Sequence, residues 1–99
     1  MRLYLHVNGS IATSIAVISG NVTLTVSYKT AIIPLGSAFT VTLPAASGIT
    51  GRVYTIVNNT VSAKTIGNYI NLAGATVNTI GAASSVEVQS DGTNWRQIQ

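Results

Sequence analysis

His6, Glu87 and Asp91 are the side chains best suited to acid–base chemistry, a single imidazole and two carboxylates in a chain of 99 residues. A hydrolytic triad would set a serine against His6 with a carboxylate behind it. That nucleophile needs a strained turn and an oxyanion hole, and no Gly-x-Ser-x-Gly occurs. Glycoside hydrolysis needs two carboxyls flanking one bond; Glu87 and Asp91 fall on either side of a turn that points them to different places. Asp91 with Asn94 supplies far fewer oxygens than the roughly six to eight that calcium takes. Asp91 is therefore read as a turn-stabilising residue, and His6 as a strand residue beside Tyr4. No catalytic residue, metal site or cofactor is implied, and the expectation is a protein that is not an enzyme.

The elements that must carry these residues belong to a chain poor in charge. Charged residues are 7% of the total, against a usual ~25%. Hydrophobic residues reach 46%, with only 6% aromatic. One domain of this size buries a modest share of its unfolded surface and needs support. No Cys is present to form disulfides, which leaves self-assembly as the expected support. The five cations, Arg2, Lys29, Arg52, Lys64 and Arg96, are scattered. A nucleic-acid surface would cluster them among aromatics, so no nucleic-acid partner is expected. No apolar run approaches the ~18 residues of a membrane span, and the N-terminus lacks an Ala-x-Ala-like cleavage site.

Periodicity is that of strands throughout. Val22, Leu24, Val26 and Tyr28 alternate with Thr23, Thr25 and Ser27; Phe39, Val41 and Leu43 alternate with Thr40 and Thr42; Val86 and Val88 alternate with Ser85, Glu87 and Gln89. Asn8-Gly9 and Gly20-Asn21 read as hairpin turns. The second would place Val17 opposite Leu24 and Ile15 opposite Val26. Strands are further expected over residues 52–58, 62–66, 69–72, 76–80 and 94–98, and Pro34 and Pro44 close strands. The expected fold is all-β, a small antiparallel β-sandwich or barrel-like module.

Two stretches carry a resemblance. Val41-Thr42-Leu43-Pro44 is followed by a small-residue loop and Gly51-Arg52-Val53-Tyr54-Thr55-Ile56. Ser85-Val86-Glu87-Val88 is followed by Ser90-Asp91-Gly92-Thr93-Asn94-Trp95. In this order they resemble a β-rich module of tailed-bacteriophage virion proteins, found in tail fibres, adhesin tips and capsid decoration proteins. The resemblance covers residues 27–99 and sets off residues 1–26 as an N-terminal β-hairpin arm for assembly or anchoring. It implies a structural virion component, made in the host cytoplasm and often trimeric, with no catalytic residues.

The arm before the module is short, which favours a capsid decoration or cement protein over a tail fibre. The expected partners are further copies of the chain and the major capsid protein or another virion protein. Arg2, Tyr4, His6, Ile11 and Ile15 are then the candidate capsid or subunit contacts. The alternative is a receptor-binding tip for a host surface glycan, using exposed loop residues Ser47, Thr50, Asn58, Asn59 and Trp95. For Trp95 a second role stands beside sugar stacking: capping the core where the last strand returns.

Overall fold

The structure is a computed structural model and describes residues 8–99. Nine strands and no helix make up the described chain. The all-β class expected from the strand periodicity is the class observed. The chain first winds as a coil between two layers. β1 (Ile15–Val17), β3 (Thr30–Ile33) and β5 (Val53–Asn58) lie parallel in a large sheet. β2 (Val22–Thr23) and β4 (Val41–Thr42) lie parallel in a small one. Each crossover in the large sheet therefore runs through a strand of the other layer, the long connection that parallel pairing needs.

After β5 the pairing becomes mainly antiparallel. β6 (Lys64–Ile70) pairs with β7 (Thr76–Ile80), and β8 (Ser84–Ser90) pairs with β5 and with β9 (Trp95–Gln97). The seven-stranded order is β1-β3-β5-β8-β9-β6-β7, which leaves β1 and β7 at the edges. The sheet is thus mixed, where an antiparallel one was expected.

The expected Gly20-Asn21 hairpin is corrected. Val17 pairs with Ile32, and Val22 pairs with Val41. A primed turn requires positive φ, and neither Gly20 nor Asn21 has it. Instead the Asn21 Oδ1 accepts the Thr40 amide at 3.0 Å and ties β2 to β4. The strand expected to run on to Tyr28 stops at Thr23, because the chain turns: the Tyr28 amide donates to the Thr25 carbonyl at 3.1 Å. So β1 and β2 are stitched into the two sheets rather than to each other. The Asn8-Gly9 hairpin involves residues 3–7, which lie outside the described residues, as do Arg2, Tyr4 and His6.

One core lies between the layers. Tyr54, Ile56, Val86 and Val88 project into it from the large sheet, Leu24, Val41 and Leu43 from the other side. Trp95 closes it, its ring 5.3 Å from that of Tyr54. The Trp95 indole N–H donates to the Pro44 carbonyl at 2.7 Å, so the Thr-Leu-Pro strand end and the Asp-Gly-Thr-Asn-Trp turn are locked together. The two short runs expected around Gly67 are a single strand, β6, with a bulge. Pairing with β7 shifts register between Thr65 and Tyr69, and Gly67 takes φ 99°, where a side chain is strained.

Candidate interaction surfaces

The outward face of the large sheet is set by the register. One cross-strand row is Ile15, Thr30, Thr55 and Glu87; the next is Val17, Ile32, Val57 and Ser85. The first is polar at its centre. The Lys29 Nζ donates to the Thr55 hydroxyl at 3.0 Å and reaches the Glu87 Oε2 at 3.4 Å, while the Thr55 hydroxyl donates to the same oxygen at 2.9 Å. Glu87 thus takes Lys29 as its partner, where the sequence suggested Arg52.

The second row is apolar and uncovered among the described residues. Val17 is 63% exposed and Ile15, beside it on β1, 67%. Beyond Val57 the row opens into a shallow groove of about 430 Å³ lined by Leu35, Val57, Asn59, Ala83, Ser84 and Ser85. Leu35 stands 71% exposed at its rim. β-branched residues at strand spacing build this face, and an exposed apolar face of this kind marks an interaction site.

The edge beside it is also open. The Thr30 amide donates to the Ser14 carbonyl at 3.1 Å and the Ile18 amide to the Ile32 carbonyl at 3.0 Å. In a parallel ladder alternate residues bond to the same side. Ser14, Ala16 and Ile18 therefore turn their peptide groups to β3, and Ile15 and Val17 turn theirs outward. No strand among the described residues takes them up. Native sheets guard such edges with charge, proline or bulges; from Val7 to Tyr28 this chain has no charged residue and no Pro.

The expected recognition residues separate into two groups. Ser47, Thr50 and Asn59 are exposed, as expected. Asn58 and Trp95 are not, and the expectation is corrected. Asn58 is 0% exposed. Its amide donates to the carbonyls of Ser62 at 2.9 Å and Gly81 at 3.0 Å, and its Oδ1 accepts from the Thr60 amide at 3.0 Å and the Thr60 hydroxyl at 2.6 Å. A side chain that satisfies four backbone and hydroxyl groups in the interior is a brace for the β5–β6 connection. Trp95 is buried for the reason given above, its N–H already bonded. Ile11 and Ile15 are both exposed on the described surface, while Arg2, Tyr4 and His6 lie outside the described residues.

The Ser90–Trp95 turn is held by its carboxylate. The Asp91 Oδ1 accepts the Thr93 and Asn94 amides at 2.8 and 2.7 Å, and the Arg96 guanidinium binds its other oxygen. These backbone bonds, with Arg96, hold the Asp91 carboxyl down to about 2. The turn touches the loop before β5: the Gly51 amide donates to the Ser90 carbonyl at 2.8 Å, and a Cβ on Gly92 would stand 2.7 Å from the Thr50 hydroxyl. Where the two loops meet β1's approach, a second cleft of about 580 Å³ opens, with Thr13, Ser14, Tyr28, Lys29, Thr50 and Arg52 in its walls. Among the described residues no three His, Cys, Asp or Glu side chains converge.

No family model matches this chain, and neither the curated proteins nor the solved structures contain a match to it.

Proposed function

We propose that this chain is a structural, non-enzymatic component of a phage virion: a capsid decoration protein that assembles as a homotrimer and binds the shell. The observation that carries the assembly is the apolar row of Val17, Ile32 and Val57 leading into the Leu35 groove, beside an unguarded β1 edge. The same surface on a monomer would leave Ile15, Val17 and Leu35 in water, each at about two thirds exposure or more. The virion setting comes from the resemblance of the Thr-Leu-Pro and Ser-Asp-Gly-Thr-Asn-Trp segments to phage structural modules, and the trimer from the state such modules take. Decoration acts by mass action: a ligand that binds only the mature shell stabilises it in proportion to its free concentration over Kd. The burial of Asn58 and Trp95 weakens the glycan-binding alternative, which loses its aromatic platform.

Sedimentation equilibrium tests the assembly. The wild type is expected at three times 10.2 kDa, and Val17→Lys with Ile32→Lys at the monomer mass with an unchanged β-sheet circular dichroism spectrum. A monomeric wild type at ~100 µM, where micromolar assemblies are populated, removes the assembly reading. Binding of the trimer to empty expanded capsids at fixed stoichiometry, with no binding to host cells, tests the placement; the reverse pattern replaces decoration by a tail-tip role.

A further inference from the structure

The chain has two acidic residues in all, and both are engaged within it. Glu87 is held by Lys29 and Asp91 by Arg96. Lys64 donates to the Ser37 carbonyl at 3.3 Å. Arg52 differs. Among the described residues no carboxylate pairs with it, and it lines the 580 Å³ cleft together with Tyr28, Thr13, Ser14 and Thr50, with no acidic residue in the wall. Its charge is felt there: it partly offsets the rise that burial causes in the Tyr54 phenol pKa. The cleft wall is firm where Arg52 stands. The Arg52 amide donates to the Ile49 carbonyl at 3.0 Å, its carbonyl accepts the Ser90 amide at 3.0 Å, and the Tyr54 hydroxyl pins the opposite turn through the Thr25 carbonyl at 3.0 Å. A positioned guanidinium without a counter-charge is a carboxylate receptor, because its planar fork takes a carboxylate through two parallel hydrogen bonds.

The cleft does not stand alone. Thr13 and Ser14 form part of its wall and lead directly into β1, where the Ile15 and Val17 peptide groups face outward. A chain hydrogen-bonded along that edge would pass the mouth of the cleft. Strand addition works in this way elsewhere: main-chain bonds to a sheet edge supply affinity, and a pocket for one side chain supplies selectivity.

We propose that the β1 edge and the Arg52 cleft form one docking site for an extended, acidic segment of another protein, with an Asp or Glu side chain seated against Arg52. The inference rests on the decoration reading, in which the partner is a shell protein. A second copy of this chain is the poorer occupant, since both of its carboxylates are already bound to its own cations. The edge offers backbone groups and the outward face offers side chains, so a trimer through the face leaves the edge available.

Titration of the isotopically labelled full chain, followed by NMR, tests the site. The probes are blocked heptapeptides of the type Ser-Thr-Val-Glu-Val-Thr-Ser, with the Glu placed in turn at each of the three central positions, and their Gln counterparts. One Glu peptide is expected to shift the Ile15 and Val17 amides and the Arg52 guanidinium signal together. It should bind about tenfold more tightly than its Gln counterpart, as a charge-assisted pair gives, and weaken as salt rises. Arg52→Gln should erase that tenfold preference, and Lys64→Gln should leave it intact. Glu and Gln peptides that bind equally, or not at all, in every register overturn the proposal. Tight binding of trigalacturonate without binding of any peptide overturns it in favour of an acidic saccharide. Shifts at Ile15 and Val17 that follow protein concentration rather than peptide overturn it in favour of a second copy. A monomeric protein that still selects the Glu peptide refutes the trimer alone, and a trimer that selects no peptide refutes this site alone.

Discussion

Replacing Asn58 by Ala distinguishes an internal brace from a recognition residue, and the structure sets the size of the effect. The Thr60 amide is buried and has the Asn58 Oδ1 as its acceptor at 3.0 Å. Losing that acceptor orphans a buried donor, which costs about 1–3 kcal/mol. The three carbonyls facing the Asn58 amide fare better. The Ser62 oxygen keeps the Thr60 hydroxyl at 2.9 Å, and Gly81 is exposed enough for water to replace the lost bond. Their combined loss is nearer to the ~1 kcal/mol of one net hydrogen bond. The expected destabilisation is about 3 kcal/mol, or a melting point lower by about 15 °C in a domain of this size.

Trp95 reports it directly. It is the only Trp, it is buried, and it stacks near Tyr54, so its fluorescence follows global unfolding in urea. Protein concentration must be held constant, because assembly contributes to apparent stability. Asn58→Asp sharpens the result. The new carboxylate would face the Ser62, Ile80 and Gly81 carbonyls, which disfavour its ionised form along with burial. Its folded pKa is raised, so the variant should be more stable at pH 4 than at pH 7 and lose stability as pH rises through that value. A loss below about 0.5 kcal/mol for Asn58→Ala, the range of ordinary surface substitutions, refutes the brace and returns Asn58 to the surface.

Gly92→Ala should destabilise by about 2 kcal/mol, because φ is +95° and the added Cβ would press on the Thr50 hydroxyl; Thr50→Ala in the same chain should recover part of the loss, and urea midpoints at unchanged slope measure both. Acid should weaken the Ser90–Trp95 turn. The Asp91 pKa is lowered from 3.8 to about 2, so its contribution is complete above pH 4 and is lost as pH falls from about 4 to 2. Native-state hydrogen exchange at the Thr93 and Asn94 amides should speed up across that window, and Arg96→Gln should move the window to higher pH.

The parts of the fold legible in the sequence are those where period two survives. Residues 76–80 and the alternating Val86 and Val88 show their strands directly, since each has one face in the core. Residues 52–58 do so for the same reason, with Tyr54, Ile56 and Asn58 inward. The illegible parts break that rule physically. The Gly67 bulge inserts an extra residue and puts Ile66 and Tyr69 inside, three apart, so one strand reads as two. At β3, Ala31 and Ile33 are buried while Thr30 and Ile32 are half-buried on the other face; a strand covered on both sides has no polar alternation and reads as a boundary. The hairpin error at Gly20-Asn21 has another origin. The local signal was sound for a turn, but each strand found a better partner elsewhere, because Ile18 and Leu24 enter the core only if the chain crosses from one layer to the other. Asn58 was taken for a loop residue by its type. Its inward position follows from alternation with Ile56 and Tyr54, a signal the sequence already held.

The scarcity of charge and the coil of parallel strands meet in one consequence. A parallel coil cannot close its first strand on a hairpin partner, so β1 keeps an open ladder on one side among the described residues. An open ladder flanked by Ile15 and Val17, in a stretch without charge or Pro, is the kind of segment that pairs with any available strand. Such a chain persists as a defined protein when a specific partner claims that edge and that face. Guarding residues would have blocked unwanted pairing, and they would equally have blocked docking. Their absence at β1, set against the Lys29–Thr55–Glu87 cluster at the centre of the same sheet, locates the open position at the one border where assembly uses it. Introducing a single guard, Val17→Lys, should therefore raise solubility while removing assembly; a variant that assembles unchanged would mean that neither the edge nor the face is used.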